Sequence, residues 1–183
     1  MTNGTESEKS TDLIATAPGS PAGRANILLV DDRQDKLSSL EVILASLGQK
    51  LISVRSGADA LRFLLQQDVA VIVLGVRMPE MDAFETASLI RQRKGSELTP
   101  IIFISAVNYS DFDLARAYSL GVVDHILSPI VPEILRAKVS FFIELHKKTE
   151  QLKRQAETEA QLIREQVALG VRSGRTDPNQ DCF

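Results

Sequence analysis

Short unbroken apolar runs alternate along this chain with stretches in which apolar residues return every three or four positions. Ile27-Leu28-Leu29-Val30 is the first run, and it ends on two adjacent carboxylates, Asp31 and Asp32. Leu37, Leu40, Ile43, Leu44 and Leu47 follow at helical spacing, with Gly48 as a stop, which predicts an amphipathic helix. Leu51 to Val54 reads as a second strand. Ser56 to Gln67 reads as a helix with Ser56 as N-cap and Leu61, Leu64 and Leu65 facing inward. Val69 to Leu74 is an apolar, mostly β-branched run, closed at once by Gly75, and predicts a strand buried on both faces.

The alternation continues beyond Gly75. Met78 to Met81 reads as a loop, and Asp82 with Glu85 has the spacing of a capping box opening a helix through Ala87, Leu89 and Ile90. Pro100 to Ile104 is a fourth strand that ends on Ser105. A helix from about Ser110 places Leu114, Ala117, Tyr118 and Leu120 inward and stops at Gly121. Val122 to Leu127 is a fifth strand, closed by Ser128-Pro129. Five strand and helix alternations at these lengths predict crossover units, hence an α/β fold with a five-stranded, doubly wound parallel sheet.

The last helix breaks the rhythm. Its pattern starts near Pro132, a residue suited to a first helical turn, and continues to about Leu169. Ile134, Leu135, Val139, Phe142, Ile143 and Leu145 can pack on the sheet; beyond them Leu152, Ala156, Ala160, Ile163 and Val167 form a thin stripe. Spacings of four, four, three and four are coiled-coil-like without being clean heptads. The expected organisation is an N-terminal arm over residues 1–25, a domain over 26–146, a helical extension over 147–169 and a tail over 170–183. Both ends are rich in residues that cannot repay the entropy of ordering.

Composition adds exclusions. A net charge of −3 over 183 residues supplies no overall bias towards nucleic acid or an anionic membrane. The single cysteine, Cys182, cannot close a disulfide within the chain, no stretch reads as a secretory signal or a bilayer span, and a reducing cytoplasm is the expected setting. His125 and His146 lie on different elements, and neither a phosphate-binding glycine loop nor a nucleophile with an adjacent base is present.

In a sheet wound this way, the carboxyl ends of the first, third, fourth and fifth strands converge on one edge, where ligands and chemistry gather. That edge collects Asp31-Asp32, Gly75, Ser105 and Ser128-Pro129. Four segments carry a resemblance: Ile-Leu-Leu-Val-Asp-Asp at 27 to 32, Met-Pro-Glu-Met-Asp at 78 to 82, Pro-Ile-Ile-Phe-Ile-Ser-Ala at 100 to 106, and Gly-Val-Val-Asp-His-Ile-Leu-Ser-Pro-Ile at 121 to 130. With them in this order, residues 26 to 146 resemble a bacterial response-regulator receiver domain, and the implied strand order is flavodoxin-like.

The resemblance implies a phosphoryl-accepting aspartate after the third strand, Mg²⁺ on the acidic pair, and a hydroxyl and a lysine that contact the phosphate. Carried over, the acidic pair is Asp31 and Asp32, the hydroxyl is Ser105, and His125 holds the aromatic switch position. Gly75 stands where the aspartate is expected, and Ser128 where the lysine is expected. Glycine offers no nucleophile and serine no fixed positive charge, so the expected phosphoryl chemistry loses both of its central groups.

The expectation is a degenerate receiver with no catalytic residue and no required cofactor. Its Mg²⁺ site at Asp31 and Asp32 is weak or empty, with Arg77 or water filling the vacated space and Ser105 a small polar loop residue. His125 is expected as a packing histidine, Asp82 as a helix cap, and Ser128-Pro129 as a cis bond. Output would pass through protein contacts with a histidine kinase or an output domain, using the face of the fourth helix, fifth strand and last helix, together with homodimerisation through the last helix. The alternative is an active phosphoacceptor that uses a displaced carboxylate with Mg²⁺.

Overall fold

The computed structural model describes residues 24–106 and 111–173. The expected arm, apart from residues 24 and 25, and the tail from residue 174 onward lie outside the described residues. Five strands, β1 (Asn26–Val30), β2 (Lys50–Val54), β3 (Val71–Gly75), β4 (Ile101–Ser105) and β5 (Asp124–Leu127), form one sheet in the order β2-β1-β3-β4-β5. All four pairings are parallel. The connecting helices are α1 (Gln34–Leu44, extended by a 3-10 turn over Ala45–Leu47), α2 (Gly57–Leu64), α3 (Ala83–Arg91) and α4 (Asp111–Ser119), and α5 (Pro132–Ser173) is the last described element.

The alternation of strand side chains builds two cores from one sheet. Leu28, Val30, Ile72, Leu74, Ile101 and Phe103 face α2, α3 and α4, where Ala60, Leu64, Ala83, Ala87, Ile90 and Ala117 meet them. Ile27, Leu29, Val71, Val73, Ile102 and Ile104 face the other way, against Leu37, Leu40 and Leu44 of α1 and Leu135, Val139 and Ile143 of α5. Every residue of β3 and β4 is buried. A fully buried aliphatic side chain is worth about 1.5–3 kcal/mol, so these two strands anchor both layers.

Helix caps follow the local chemistry. Ser56 accepts the Asp59 amide at 3.1 Å, and Asp82 accepts the Glu85 amide at 2.8 Å. Gly57, just inside α2, allows a close approach to α3: a β-carbon there would stand 2.3 Å from Thr86 Oγ1 and 2.8 Å from Met81 Sδ. The β3–α3 loop turns tightly, with Glu80 at φ 69° and the Met81 amide donating to the Pro79 carbonyl at 2.9 Å. A non-glycine residue in that left-handed region costs about 1–2 kcal/mol.

Several inward assignments are corrected. Leu65 is 68% exposed because α2 ends at Leu64 and presents Gly57, Ala60 and Leu64 to the core. Tyr118 is exposed because α4 turns its neighbour Ala117 inward. Ile134 and Leu145 are exposed because α5 packs through Leu135, Val139 and Ile143, a row of i, i+4 steps that leaves the flanking positions outside. The helix runs to Ser173, past the expected end near Leu169; its 42 residues reach about 63 Å.

Candidate functional site

Register places the strand-end residues together. Val30 is level with Leu74, Gly75 with Ile104, and Ser105 with Leu127, so Asp31, Gly75, Ser105 and Ser128 share the carboxyl edge of the sheet. The backbone stitches this edge: the Asp31 amide donates to Val54, the Val76 amide to Ile104 at 3.0 Å, and the Ser128 amide to Ser105 at 2.7 Å. The bond between Ser128 and Pro129 is cis, as expected.

Asp31 follows directly after β1, beside Gly75 at the end of β3, and it is 2% exposed. One carboxylate oxygen, Oδ1, accepts the Arg33 amide at 3.0 Å; the other, Oδ2, accepts Lys36 Nζ at 3.2 Å. Its side chain also occupies the space beside Gly75. A β-carbon built on Gly75 would lie 2.2 Å from Oδ2 and 2.9 Å from Cγ of Asp31. Burial pushes the Asp31 carboxyl above its ordinary range, with the Arg33 amide and Lys36 pulling it back and the neighbouring Asp32 charge adding to the rise.

Asp32 is half-buried, and its main-chain carbonyl accepts two bonds from the Arg55 guanidinium, at 3.1 and 3.3 Å. Arg77, expected to reach the acidic pair, is exposed; the cation on Asp31 is Lys36. The reason is geometry: Lys36 sits in the first turn of α1, which begins directly after the acidic pair and aims that turn back over the strand end. Ser105 is not a loop residue; it closes β4 and is buried. Ser128 is exposed. His125 lies on β5 level with Phe103, half-buried, and its amide donates to Asp124 Oδ1 at 2.8 Å. Asp124 in turn pairs with Lys138 of α5.

Asp82 is exposed at the start of α3, with its carboxylate engaged by the Glu85 amide. Among the described residues, no group of three or more histidine, cysteine, aspartate or glutamate side chains is arranged to hold a metal ion. A divalent cation at Asp31 would compete with Lys36 for Oδ2, and Gly75 adds no side-chain oxygen. The residues present therefore fit Mg²⁺ poorly, since that ion takes carboxylates together with phosphate or water oxygens.

Three features were missed from sequence. Lys36, five residues after Asp31 in the first helical turn, carried a readable signal. Arg55, which reaches back to Asp32 from beyond β2, did not. Nor did Arg91, whose guanidinium donates to the carbonyls of Leu120 at 3.0 Å, Thr99 at 2.8 Å and Gly121 at 2.7 Å, tying the end of α3 to the loop after it and to the α4–β5 turn.

The described residues contain no helix long and apolar enough to cross a membrane. Residues 27–140 match the family described as Response regulator receiver domain. The chain is 32% identical to the cyclic di-GMP phosphodiesterase response regulator RpfG of Xanthomonas campestris pv. campestris, over 72% of this chain and 35% of that protein. It is 31% identical to the transcriptional regulatory protein AfsQ1 of Streptomyces coelicolor, over 62% of this chain and 49% of that protein. It thus spans from about a third to about half of these relatives. The fold is similar to that of the Vibrio cholerae chemotaxis protein CheY4, at TM-score 0.62 and 23% identity over 66% of this chain and 99% of that one. With strand order and family match in agreement, this chain belongs to the response regulator receiver domain family.

Proposed function

We propose that this receiver works in two-component signalling without accepting a phosphoryl group itself, and that its output is carried by protein contacts. One observation carries the reading: Asp31 Oδ2 stands where a side chain on Gly75 would begin, 2.2 Å from that β-carbon, and Lys36 neutralises it there. The edge thus lacks a nucleophile on β3 and uses its buried carboxylate as a structural ion pair. Ser128 supplies no positive charge to balance a phosphoryl group. In this reading the protein is not an enzyme and needs no Mg²⁺.

The contact surface is the face of α4, β5 and α5. Tyr118, Leu127 and Ile134, one from each of those elements, are exposed apolar side chains. Partners of the kind that fit are a histidine kinase or an output domain, as the relatives' names of response regulator and transcriptional regulator suggest.

The test is incubation of the full chain with acetyl phosphate and Mg²⁺, followed by a phosphate-affinity gel. The expected result is a single unshifted band. A shifted band that disappears in Asp31→Asn, Asp32→Asn or Asp82→Asn would establish a displaced acceptor and overturn the reading.

A further inference from the structure

Apart from Leu162, which lies about 100° round the helix from Ile163, the exposed large apolar residues of α5 follow one rule from end to end, and Ala156 keeps to it. Ile134, Phe141, Leu145, Leu152, Ala156, Ile163 and Val167 are all exposed, and their spacings run seven, four, seven, four, seven and four. Each pair of steps is an eleven-residue repeat, about 3.67 residues per turn, so the residues form one stripe that drifts about 20° per repeat. The stripe begins on the part of α5 that packs against the sheet and continues along the free part without changing face. It is therefore a single surface about 40 Å long between Phe141 and Val167.

Two charged residues lie on the same stripe. Lys148 and Glu159 are themselves eleven residues apart, and neither forms an ion pair with another of the described residues. In a parallel, in-register pair of helices each would face its own copy, lysine against lysine and glutamate against glutamate. In an antiparallel pair with its two-fold axis near residue 154, Lys148 of each copy meets Glu159 of the other. The same axis sets Leu145 opposite Ile163, Phe141 opposite Val167 and Leu152 opposite Ala156. A large residue then faces a small one, where a parallel pair would set alanine on alanine and leave a gap.

We propose that α5 pairs antiparallel with α5 of a second copy, in the register that matches Leu145 with Ile163 and Lys148 with Glu159. The proposal rests on the reading of this protein as a contact module and names its first partner. The far end of each helix then lies along the exposed α5 face of the other copy's domain, which Ile134, Phe141 and Leu145 leave open.

The test uses the full chain with Cys182→Ser, carrying either Leu145→Cys or Ile163→Cys. Mild oxidation of the two variants mixed should give a crosslinked dimer, and either variant alone should give little. Efficient self-crosslinking of each alone overturns the orientation, as does a dimer by sedimentation with no crosslink in any mixture. A monomer by sedimentation at tens of micromolar overturns the pairing altogether. Lys148→Glu should weaken association roughly fivefold, and adding Glu159→Lys should restore it; a parallel pair would respond to neither. These readouts are independent of phosphorylation: a dimer with a phosphorylated pocket leaves the pairing intact, and a monomer with a silent pocket leaves the contact reading intact.

Discussion

Asp31 and Gly75 occupy one site between them: the Asp31 carboxylate reaches to 2.2 Å from where a Gly75 β-carbon would stand. Gly75 does not sit in the left-handed region, so its value here is space and not backbone freedom. Either residue can have a side chain in this position, but both cannot without movement.

Gly75→Ala should therefore destabilise. In an ordinary strand the change removes glycine's entropic penalty and gains about 0.5–1 kcal/mol; here overpacking costs about 1–3 kcal/mol and wins. Urea unfolding should show the loss, and Asp31→Ala in the same chain should recover part of it, giving a non-zero coupling between the two sites. Additive losses would refute the shared space. Gly75→Asp combined with Ser128→Lys should take up some phosphoryl group from acetyl phosphate with Mg²⁺, and neither change alone should do so.

The buried Asp31 also sets a pH dependence. Its folded carboxyl titrates above the ordinary 3.8, chiefly because of burial. Between 3.8 and that raised value the folded chain holds a proton that the unfolded chain has released, so this group's contribution to stability falls as pH rises. Above the raised value the cost is complete and constant; below 3.8 it is gone. Asp35, held low by Arg33, changes stability in the opposite sense as pH falls, so the comparison needs a matched reference. The melting temperature of the native chain minus that of Asp31→Asn should rise as pH is lowered from neutral towards 4. A flat or falling difference would mean that Asp31 is not desolvated.

Arg91 should be a stability residue far from the strand-end site. Its side chain donates to four carbonyls, those of Ser96, Thr99, Leu120 and Gly121, from two separate connections, and burial lowers its ordinary pKa without removing its charge. Arg91→Lys keeps the charge and loses the planar fork, so it should cost about 1–3 kcal/mol in urea unfolding. An unchanged midpoint would show that solvent replaces these bonds.

Much of the architecture could be read from periodicity. Runs such as Ile27 to Val30 and Pro100 to Ile104 marked strands because two-sided burial demands continuous apolar character, and the capping residues Ser56 and Asp82 announced their helices. Individual faces were less legible. Leu65, Tyr118, Ile134 and Leu145 have the spacing of core residues, yet the core takes only what lies within the narrow arc each helix turns to the sheet.

The sequence by itself determined the order of strands and helices, the edge on which Asp31, Gly75, Ser105 and Ser128 meet, and the absence of an acid at 75 and a lysine at 128. Those are matters of local pattern and residue identity. Only the tertiary structure decided that Asp31 fills the space beside Gly75, that Lys36 and not Arg77 meets its charge, and that one apolar stripe of α5 stays uncovered from Ile134 to Val167. Each depends on which side chains the packed sheet brings within a few ångströms of one another, and residues distant along the chain set that together.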